Sequence, residues 1–259
     1  MLLPPGTLEA FGLTLVRTGA LVLAAPLLGT GSTFSGYKIG LIGVLALVLY
    51  VASGAPALAP VSPVAFGVLA MREVLIGVTL AFALHAVLLA VRVASELIGH
   101  EMAFTMSRQV DPETGVNVPL IAHVYELLFF MAFLALNGHH WLVRALYASS
   151  ERAPVGVLRA SGMELALPGL ALKQFTELFA AGLTFAAPML VMLMLVSLTI
   201  GLLTRAVPHI NVLEFGFNLR ILGGLVAMLL FAPALAPALE ALMGRLMDGL
   251  EASLDLLGT

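Results

Sequence analysis

The chain has 259 residues, of which 61% are hydrophobic and 10% are charged, and its mean hydropathy is +1.08. These values exclude an ordinary soluble domain and predict an integral membrane protein. The formal net charge of -3, with no run of Lys or Arg, argues against nucleic acid as a partner, and the lack of cysteine excludes disulfides, thiolate nucleophiles and Cys-based metal sites.

Six apolar intervals separate the charged residues, and each is near or above the roughly 20 residues that a helix needs to cross hydrocarbon. They cover residues 18–37, 39–71, 74–91, 127–143, 178–204 and 221–239. The first basic residue is Arg17, so the basic start of a removable signal is missing and the N-terminus is expected to be mature sequence.

Four charged residues interrupt or border this apolar sequence, namely Arg17, Arg72, Glu73 and Glu126. An unpaired charge at bilayer depth costs about 2.5 to 3.5 kcal/mol on insertion scales, so each of them needs a partner. Arg72 and Glu73 fit the end of a helix at the membrane interface, and Glu126 fits a single buried carboxyl. A proton path is the functional alternative for the same residues.

The segment 31–38, GSTFSGYK, superficially resembles a phosphate-binding loop. The Walker pattern requires Lys directly after its second Gly, but Tyr37 occupies that place and neither Ser nor Thr follows Lys38. A tight turn between helices is therefore the preferred interpretation.

Proline and glycine punctuate the apolar intervals and predict bent helices and short hairpins that pack closely. The prolines are Pro26, Pro56, Pro60, Pro63, Pro188, Pro208, Pro233 and Pro237. The small residues include Gly36, Gly40, Gly77, Gly182, Gly201, Gly223 and Gly224.

A polar, helix-breaking segment begins near Gly99 and is followed by an apolar stretch that ends in Asn-Gly-His-His at residue 140. A membrane protein leaves irregular backbone at bilayer depth only where protein or a water-filled cavity satisfies its N–H and C=O groups. We therefore expect this loop to line a passage or an interface. Asn137, Gly138 and His139 most simply form a polar turn between two apolar helices.

Catalytic and metal-binding patterns give no positive signal. His139 and His140 are adjacent and would point in different directions on a helix, and the sequence contains neither an HExxH nor a GxSxG motif. The sequence places no candidate general base near Ser149 or Ser150. We therefore predict no enzymatic activity and no cofactor.

The segment 205–211, RAVPHIN, predicts a corner between two helices, because Pro208 ends a helix and Asn211 can form the side-chain bonds of a turn. After Pro237, leucines recur at helical spacing with charges between them, which predicts an amphipathic C-terminal helix. Its formal charge is acidic, so an anionic lipid surface would repel it. Packing on a partner helix is preferred.

Two features do not fit a conventional six-helix transporter. If the six intervals are spans, six basic residues fall on one side (Arg72, Arg144, Arg152, Arg159, Lys173 and Arg245) and five on the other (Lys38, Arg92, Arg108, Arg205 and Arg220). Trp141 is the only Trp and there are four Tyr, too few for two aromatic belts. Some apolar surface is therefore expected to face partner proteins rather than lipid.

Several short motifs, taken together and in this order, resemble the flagellar biosynthetic protein FliR family, whose injectisome counterpart is the T subunit of type III secretion. They are Asp111-Pro112, Asn117, Pro119, Asn137-Gly138-His139, Pro154, Gly156, Arg205, Pro208, Asn211 and Phe215-Gly216-Phe217. The resemblance covers about residues 17–224, and none of the motifs is specific alone.

The resemblance implies an all-α subunit of a ring-like, hetero-oligomeric export gate in the bacterial inner membrane at the flagellar basal body. FliP and FliQ homologues would complete the channel for unfolded flagellar subunits, a FlhB homologue would be a further partner, and much of the assembly would lie on the periplasmic side of the bilayer. Residues 1–173, with a central loop 101–119, would be FliP-like. Residues 174–259 would form a FliQ-like hairpin with the C-terminal helix.

The same resemblance implies that the loop plugs the closed pore. Methionine is flexible and polarisable, so a Met and Phe cluster can close a narrow lumen and repack around varied side chains. The plug residues would be Met102, Phe104, Met106, Val110, Asp111 and Pro112. A stand-alone ion- or solute-coupled transporter is the alternative of a different class; it should show internal repeats and an intramembrane charge pair.

Overall fold

A computed structural model describes residues 5–25, 35–59, 61–102, 108–110, 117–157, 163–206 and 212–258. Most of the described residues are helical, which confirms the all-α class. The described residues also include one short antiparallel ribbon of two strands. The elements are α1 (Thr7–Ala24), α2 (Ser35–Ala52), α3 (Pro63–Glu101), β1 (Arg108–Val110), β2 (Asn117–Pro119), α4 (Leu120–Ala135), α5 (Gly138–Arg152), α6 (Met163–Ala206) and α7 (Val212–Gly258).

The apolar interval 39–71 is not one span, because a turn divides it. Gly54 and Ala55 adopt positive φ angles of 83° and 48° just after α2 ends. Helix α3 then begins at Pro63, and the Ser62 hydroxyl accepts a hydrogen bond from the Ala65 N–H at 3.3 Å. A serine N-cap followed by proline is a favourable helix start, since proline lacks only an N–H that would be unsatisfied there.

Prolines inside the later helices do not end them, contrary to the short hairpins that we expected. Helix α6 continues through Pro188, and α7 contains both Pro233 and Pro237. Each proline removes one backbone hydrogen bond, which a long helix tolerates when its other turns remain intact. The amphipathic C-terminal segment is therefore the last part of α7 rather than a separate helix.

The chain forms two compact units. Unit 1 comprises Met1–Ala86, Asn137–Phe175 and Arg245–Thr259, and unit 2 comprises Val87–Leu136 and Thr176–Gly244. Each unit takes segments from both sides of Lys173. The FliP-like and FliQ-like division at that residue rests on the resemblance and stays a prediction.

In unit 1, α1 packs against α2 and also closely against the first half of α3. A Cβ atom on Gly77 would lie 2.5 Å from the Arg17 carbonyl oxygen and 2.7 Å from the Ala20 Cβ, so only glycine fits there. The leucines of the C-terminal segment contribute to the same core, with Leu246, Leu250 and Leu254 buried. These leucines are thus buried by other residues of this chain, whereas the sequence analysis expected them to pack on a partner helix.

In unit 2, α3 and α6 approach closely at Gly182, where a Cβ would lie 2.7 Å from the Ala90 carbonyl oxygen. Tyr125 and Phe185 form an edge-to-face pair with ring centroids 5.8 Å apart. Close packing is thus confirmed at Gly77 and Gly182. Close packing does not extend to Gly36, Gly40 and Gly201, where no described atom outside the helix's own backbone lies within 4 Å of an added Cβ.

Four helices in the described ranges are long and apolar enough to cross a membrane, or up to five if the α4–α5 pair, bent by 64°, forms one span. Their burial within the chain is unequal. The most apolar window is 61% buried in α3 and 50% in α1, but 22% in α6 and 11% in α7. In these windows, most residues of α6 and α7 are therefore not buried by the described part of this chain.

Candidate functional sites

An ion pair between Arg17 of α1 and Glu73 of α3 is buried in unit 1. The Arg17 Nε atom donates to Glu73 Oε2 at 2.5 Å, and the two side chains are 1% and 0% exposed. Two residues 56 positions apart in sequence therefore neutralise each other's charge. The sequence indicated that both needed partners, and the structure supplies them.

Further polar groups surround the same guanidinium. Arg17 Nη1 donates to the Ser149 hydroxyl at 3.2 Å and to the Ser150 hydroxyl at 3.5 Å, and Nη2 donates to the Ala153 carbonyl at 2.8 Å. Arg17 therefore connects α1 and α3 to the C-terminal end of α5. Sequence reasoning considered the two serines only as nucleophiles and missed this role, although Ser149 lies at helical spacing from the buried Leu142 and Leu146.

A second arginine shares the carboxylate. Arg72 Nη1 donates to Glu73 Oε1 at 3.2 Å and to the Pro154 carbonyl at 3.3 Å. The prediction that Arg72 and Glu73 end a helix is wrong, because both residues lie well inside α3. Glu73 is bound by Arg17 and Arg72 rather than by water at a membrane interface. A carboxylate held by two guanidiniums is a fixed structural centre, and breaking such a buried pair costs about 3 to 5 kcal/mol.

A second ion pair lies in unit 2, between Arg92 of α3 and Glu126 of α4. Arg92 Nε donates to Glu126 Oε1 at 2.6 Å, and the side chains are 37% and 21% exposed. His123 Nδ1 lies 3.8 Å from the other oxygen of the same carboxylate. Glu126 is therefore paired and half-buried, whereas the sequence suggested a single buried carboxyl.

The α3–α4 connection contains the predicted plug. Met102, at its start, is fully buried. A Cβ atom on Gly224 of α7 would lie 2.5 to 2.9 Å from three atoms of the Met102 side chain, so this methionine occupies the space that glycine leaves. Phe104, Met106, Asp111 and Pro112 lie outside the described residues.

Within the connection, the three-residue strands β1 and β2 lie on either side of residues 111–116. Arg108 pairs with Pro119, Gln109 with Val118, and Val110 with Asn117. The polar segment thus contains an antiparallel ribbon between α3 and α4, which sequence reasoning described only as a loop.

A turn at Asn137 is observed between α4 and α5, whereas Gly138 and His139, which were predicted in the same turn, begin α5. Asn137 adopts φ 57° and ψ 32°, and Gly138, which follows it, is buried. The rings of His139 and His140 are in contact, with centroids 4.2 Å apart, and His139 Nδ1 is buried without a hydrogen-bond partner among the described residues.

The remaining predicted motif residues lie around the end of α6 and the start of α7. Arg205 is in the last turn of α6 and is exposed, so its charge complements the helix dipole. Gly216 is buried against Ile200, and Phe217 is partly exposed. Pro208 and Asn211 lie outside the described residues, and Phe215 belongs to α7.

Metal-binding geometry is missing from the described part of the chain, where no three His, Asp or Glu side chains converge on one point. The two ion-pair sites hold helices together electrostatically.

Comparison with known proteins gives consistent matches. The chain is 32% identical to the flagellar biosynthetic protein FliR of Escherichia coli (strain K12) and 30% identical to that of Pectobacterium carotovorum subsp. carotovorum, in each case over 90% of this chain and 88% of the relative. It is 22% identical to the surface presentation of antigens protein SpaR of Shigella flexneri, over 59% of this chain and 57% of that protein. The family model for bacterial export proteins, family 1, matches residues 8–246, and the chain therefore belongs to that family.

Proposed function

We propose that this chain is a core subunit of the flagellar type III export gate. It would assemble with FliP and FliQ homologues into the channel for unfolded flagellar subunits, with a FlhB homologue as a further partner, and it would conduct rather than catalyse. Its place would be the inner membrane at the flagellar basal body, with much of the assembly on the periplasmic side.

The observation that carries this proposal is the uncovered apolar surface of α6 and α7, whose most apolar windows are only 22% and 11% buried. Exposed apolar patches of this extent mark protein or membrane interaction sites. Together with the few aromatic residues available for membrane interfaces, this surface supports burial against partner subunits as well as lipid.

We propose further that the α3–α4 connection plugs the closed pore with Phe104, Met106 and Val110. The support is its position between two apolar helices, the ribbon that folds it back on itself, and its Met and Phe content. An apolar constriction can gate without any catalytic group.

Two experiments test these statements. A tagged chain is extracted from its native membrane in mild detergent, and the proteins that stay bound are identified by mass spectrometry. Recovery of FliP and FliQ homologues is expected, and a lone monodisperse chain would refute the gate. Deletion of residues 104–110 should leave the complex assembled but permeable to small hydrophilic dyes, and an unchanged permeability would remove the plug.

An injectisome role is the nearest alternative, supported by the similarity to SpaR. Identity is higher and coverage greater for the flagellar relatives, which favours the flagellar assignment. The sequences of the recovered partners distinguish the two.

A coupled transporter is the alternative of a different class, and the buried Arg17–Glu73 pair is the observation that favours it. The carboxylate is held by two arginines, however, and this suits a permanent structural centre better than a proton carrier. In a transporter, Glu126→Gln should abolish solute uptake while ring assembly has no bearing on it.

A further inference from the structure

A mostly apolar cavity lies in unit 2, between α4, α6 and α7. Its volume is about 340 Å³, which is within the range of roughly 300 to 1,000 Å³ that is typical of small-molecule sites. The residues that line it include Tyr125 and Leu128 of α4, Phe185 and Met189 of α6, and Phe231 and Ala238 of α7. All of these residues belong to unit 2, so the cavity lies within one compact unit.

Tyr125 brings a polar group to this cavity. Its side chain is 4% exposed, and its ring packs edge-to-face on Phe185, with the ring centroids 5.8 Å apart. Among the described residues, its hydroxyl has no hydrogen-bond partner. The other hydroxyl of the lining, that of Thr184, already donates to the Ala180 carbonyl at 2.8 Å. Because a buried tyrosine hydroxyl is normally hydrogen-bonded, Tyr125 indicates a ligand that carries an acceptor.

The charge of the lining restricts what this acceptor can be. None of the described residues around the cavity carries a charged side chain. A carboxylate or phosphate held there would be buried without a countercharge, which is strongly unfavourable. The acceptor is therefore a neutral oxygen, such as the carbonyl of an ester, rather than the carboxylate of a free fatty acid.

The surroundings of the cavity favour a lipid over a water-soluble ligand. The most apolar windows of α6 and α7 are only 22% and 11% buried, so a ligand that reaches the cavity along these helices passes through apolar surroundings. On α4, Tyr125 lies between His123 and Glu126, whose side chains are 34% and 21% exposed. Tyrosine is favoured at such a boundary between polar and apolar surroundings in membrane proteins.

We propose that this cavity binds one acyl chain of a membrane phospholipid, whose ester carbonyl accepts a hydrogen bond from the Tyr125 hydroxyl. The charged headgroup stays outside the cavity, where water can solvate it. This inference goes beyond the proposed function and does not depend on it, since a lipid site in unit 2 requires no pore and no plug.

Photolabelling tests the site in the assembled complex. The complex is reconstituted in nanodiscs with phosphatidylethanolamine that carries a diazirine midway along one acyl chain, and mass spectrometry maps the labelled residues after illumination. Label should concentrate at Met189 and Phe231 of the lining. Leu183, which is 49% exposed on α6 and does not line the cavity, reports ordinary bilayer contact. Equal labelling at Leu183 and at the lining residues would overturn the proposal.

Two variants test the contacts of the acyl chain. Tyr125→Phe keeps the ring but removes the hydroxyl, and it should lower labelling at Phe231 roughly two- to tenfold, as expected for the loss of one hydrogen bond. Ala238→Leu places a larger side chain in the cavity and should also lower this labelling, whereas Ala236→Leu, at an exposed position of α7 outside the lining, should resemble the wild type.

Unchanged labelling in Tyr125→Phe would refute the hydrogen-bonded ester. Unchanged labelling in a normally assembled Ala238→Leu complex would refute the cavity as the binding site. Tyr125→Phe adds no volume, so it keeps the test decisive if Ala238→Leu assembles poorly.

A fatty acid with the same diazirine and chain length distinguishes the two sources of an acyl chain. It should label Phe231 less than the phospholipid does, because its carboxylate finds no cation among the described lining residues. Stronger labelling by the fatty acid would overturn the assignment to a phospholipid. A photo-crosslinking phenylalanine at residue 238 that captures a partner protein instead of lipid would show that a partner side chain fills the cavity, and would refute the lipid site.

Discussion

At the scale of single residues, the unusual feature is a buried arginine on α1 whose hydrogen bonds reach α3 and the C-terminal end of α5. Arg17 contacts Glu73, two serine hydroxyls and the Ala153 carbonyl. Taking a charge out of water is tolerated only when paired and hydrogen-bonded groups replace the solvent. The cluster therefore fixes how α1, α3 and α5 meet, because each supplies part of that replacement.

Replacing Glu73 by Gln should destabilise the protein by about 3 to 5 kcal/mol, since it leaves Arg17 buried without a countercharge. The expected readout is a marked fall in the thermal unfolding midpoint and in the yield of assembled complex. Asp255→Asn is the control, because it breaks the Arg152–Asp255 pair, whose side chains are 40% and 75% exposed. A control that lowers the midpoint as much as Glu73→Gln would argue against the importance of burial.

At the scale of elements, two small residues decide how closely helices pack. Gly77 lets α3 lie directly on the backbone of α1, and Gly182 does the same for α6 on α3. Removal of side chains at such points allows helices to approach closely in membrane proteins, where van der Waals contact supplies much of the packing energy. Gly67, Gly169 and Gly201 of the same helices do not serve this purpose, because an added Cβ would meet no described atom outside the helix's own backbone within 4 Å.

Gly77→Ala should therefore destabilise unit 1 by about 1 to 3 kcal/mol, because the added methyl group meets backbone atoms that cannot rotate away. Gly67→Ala, in the same helix, is the matched control. An added Cβ at Gly67 meets no described atom outside the helix's own backbone within 4 Å, so the alanine should stabilise the helix by roughly 0.5 to 1 kcal/mol through its higher helix propensity. Thermal unfolding of the two variants checks this; shifts in the same direction would contradict the packing argument.

At the scale of the whole molecule, apolar surface is distributed unequally among the helices. The C-terminal leucines of α7 are buried within the chain, but the middle of α7 is not; Leu229 is 76% exposed and Leu246 is 0% exposed. A surface of this kind must be covered by lipid, by partner subunits or by both. The proposed gate assigns a substantial part of it to partners.

A photo-crosslinking phenylalanine at residue 229 should therefore join this chain to another protein of the complex. The same probe at residue 246 should give only products within the chain, since that position faces the core of unit 1. Gel mobility and mass spectrometry of the products provide the readout. Capture of lipid alone at residue 229 would place this face of α7 against the bilayer and weaken the gate proposal.

The candidate sites were only partly predictable from the sequence. The cost of an isolated charge identified Arg17, Glu73 and Glu126 as residues that need partners, but not which partners. Met102 was predicted within a plug by resemblance, and its burial against Gly224 could not be read from a local pattern. Contacts between residues 56 or 132 positions apart depend on how helices meet.

The sequence by itself determined the membrane class, the helical fold and the family resemblance, because hydropathy and motif order are properties summed along the chain. It treated residues 39–71 as one apolar interval, although α3 begins at Pro63, and it placed a separate helix after Pro237, although α7 runs through that residue. Proline is compatible with both the start and the interior of a long helix. Only the tertiary structure decided which charges pair, which glycines allow close packing and which apolar faces stay uncovered. Those outcomes depend on distances through space, and a one-dimensional pattern does not contain them.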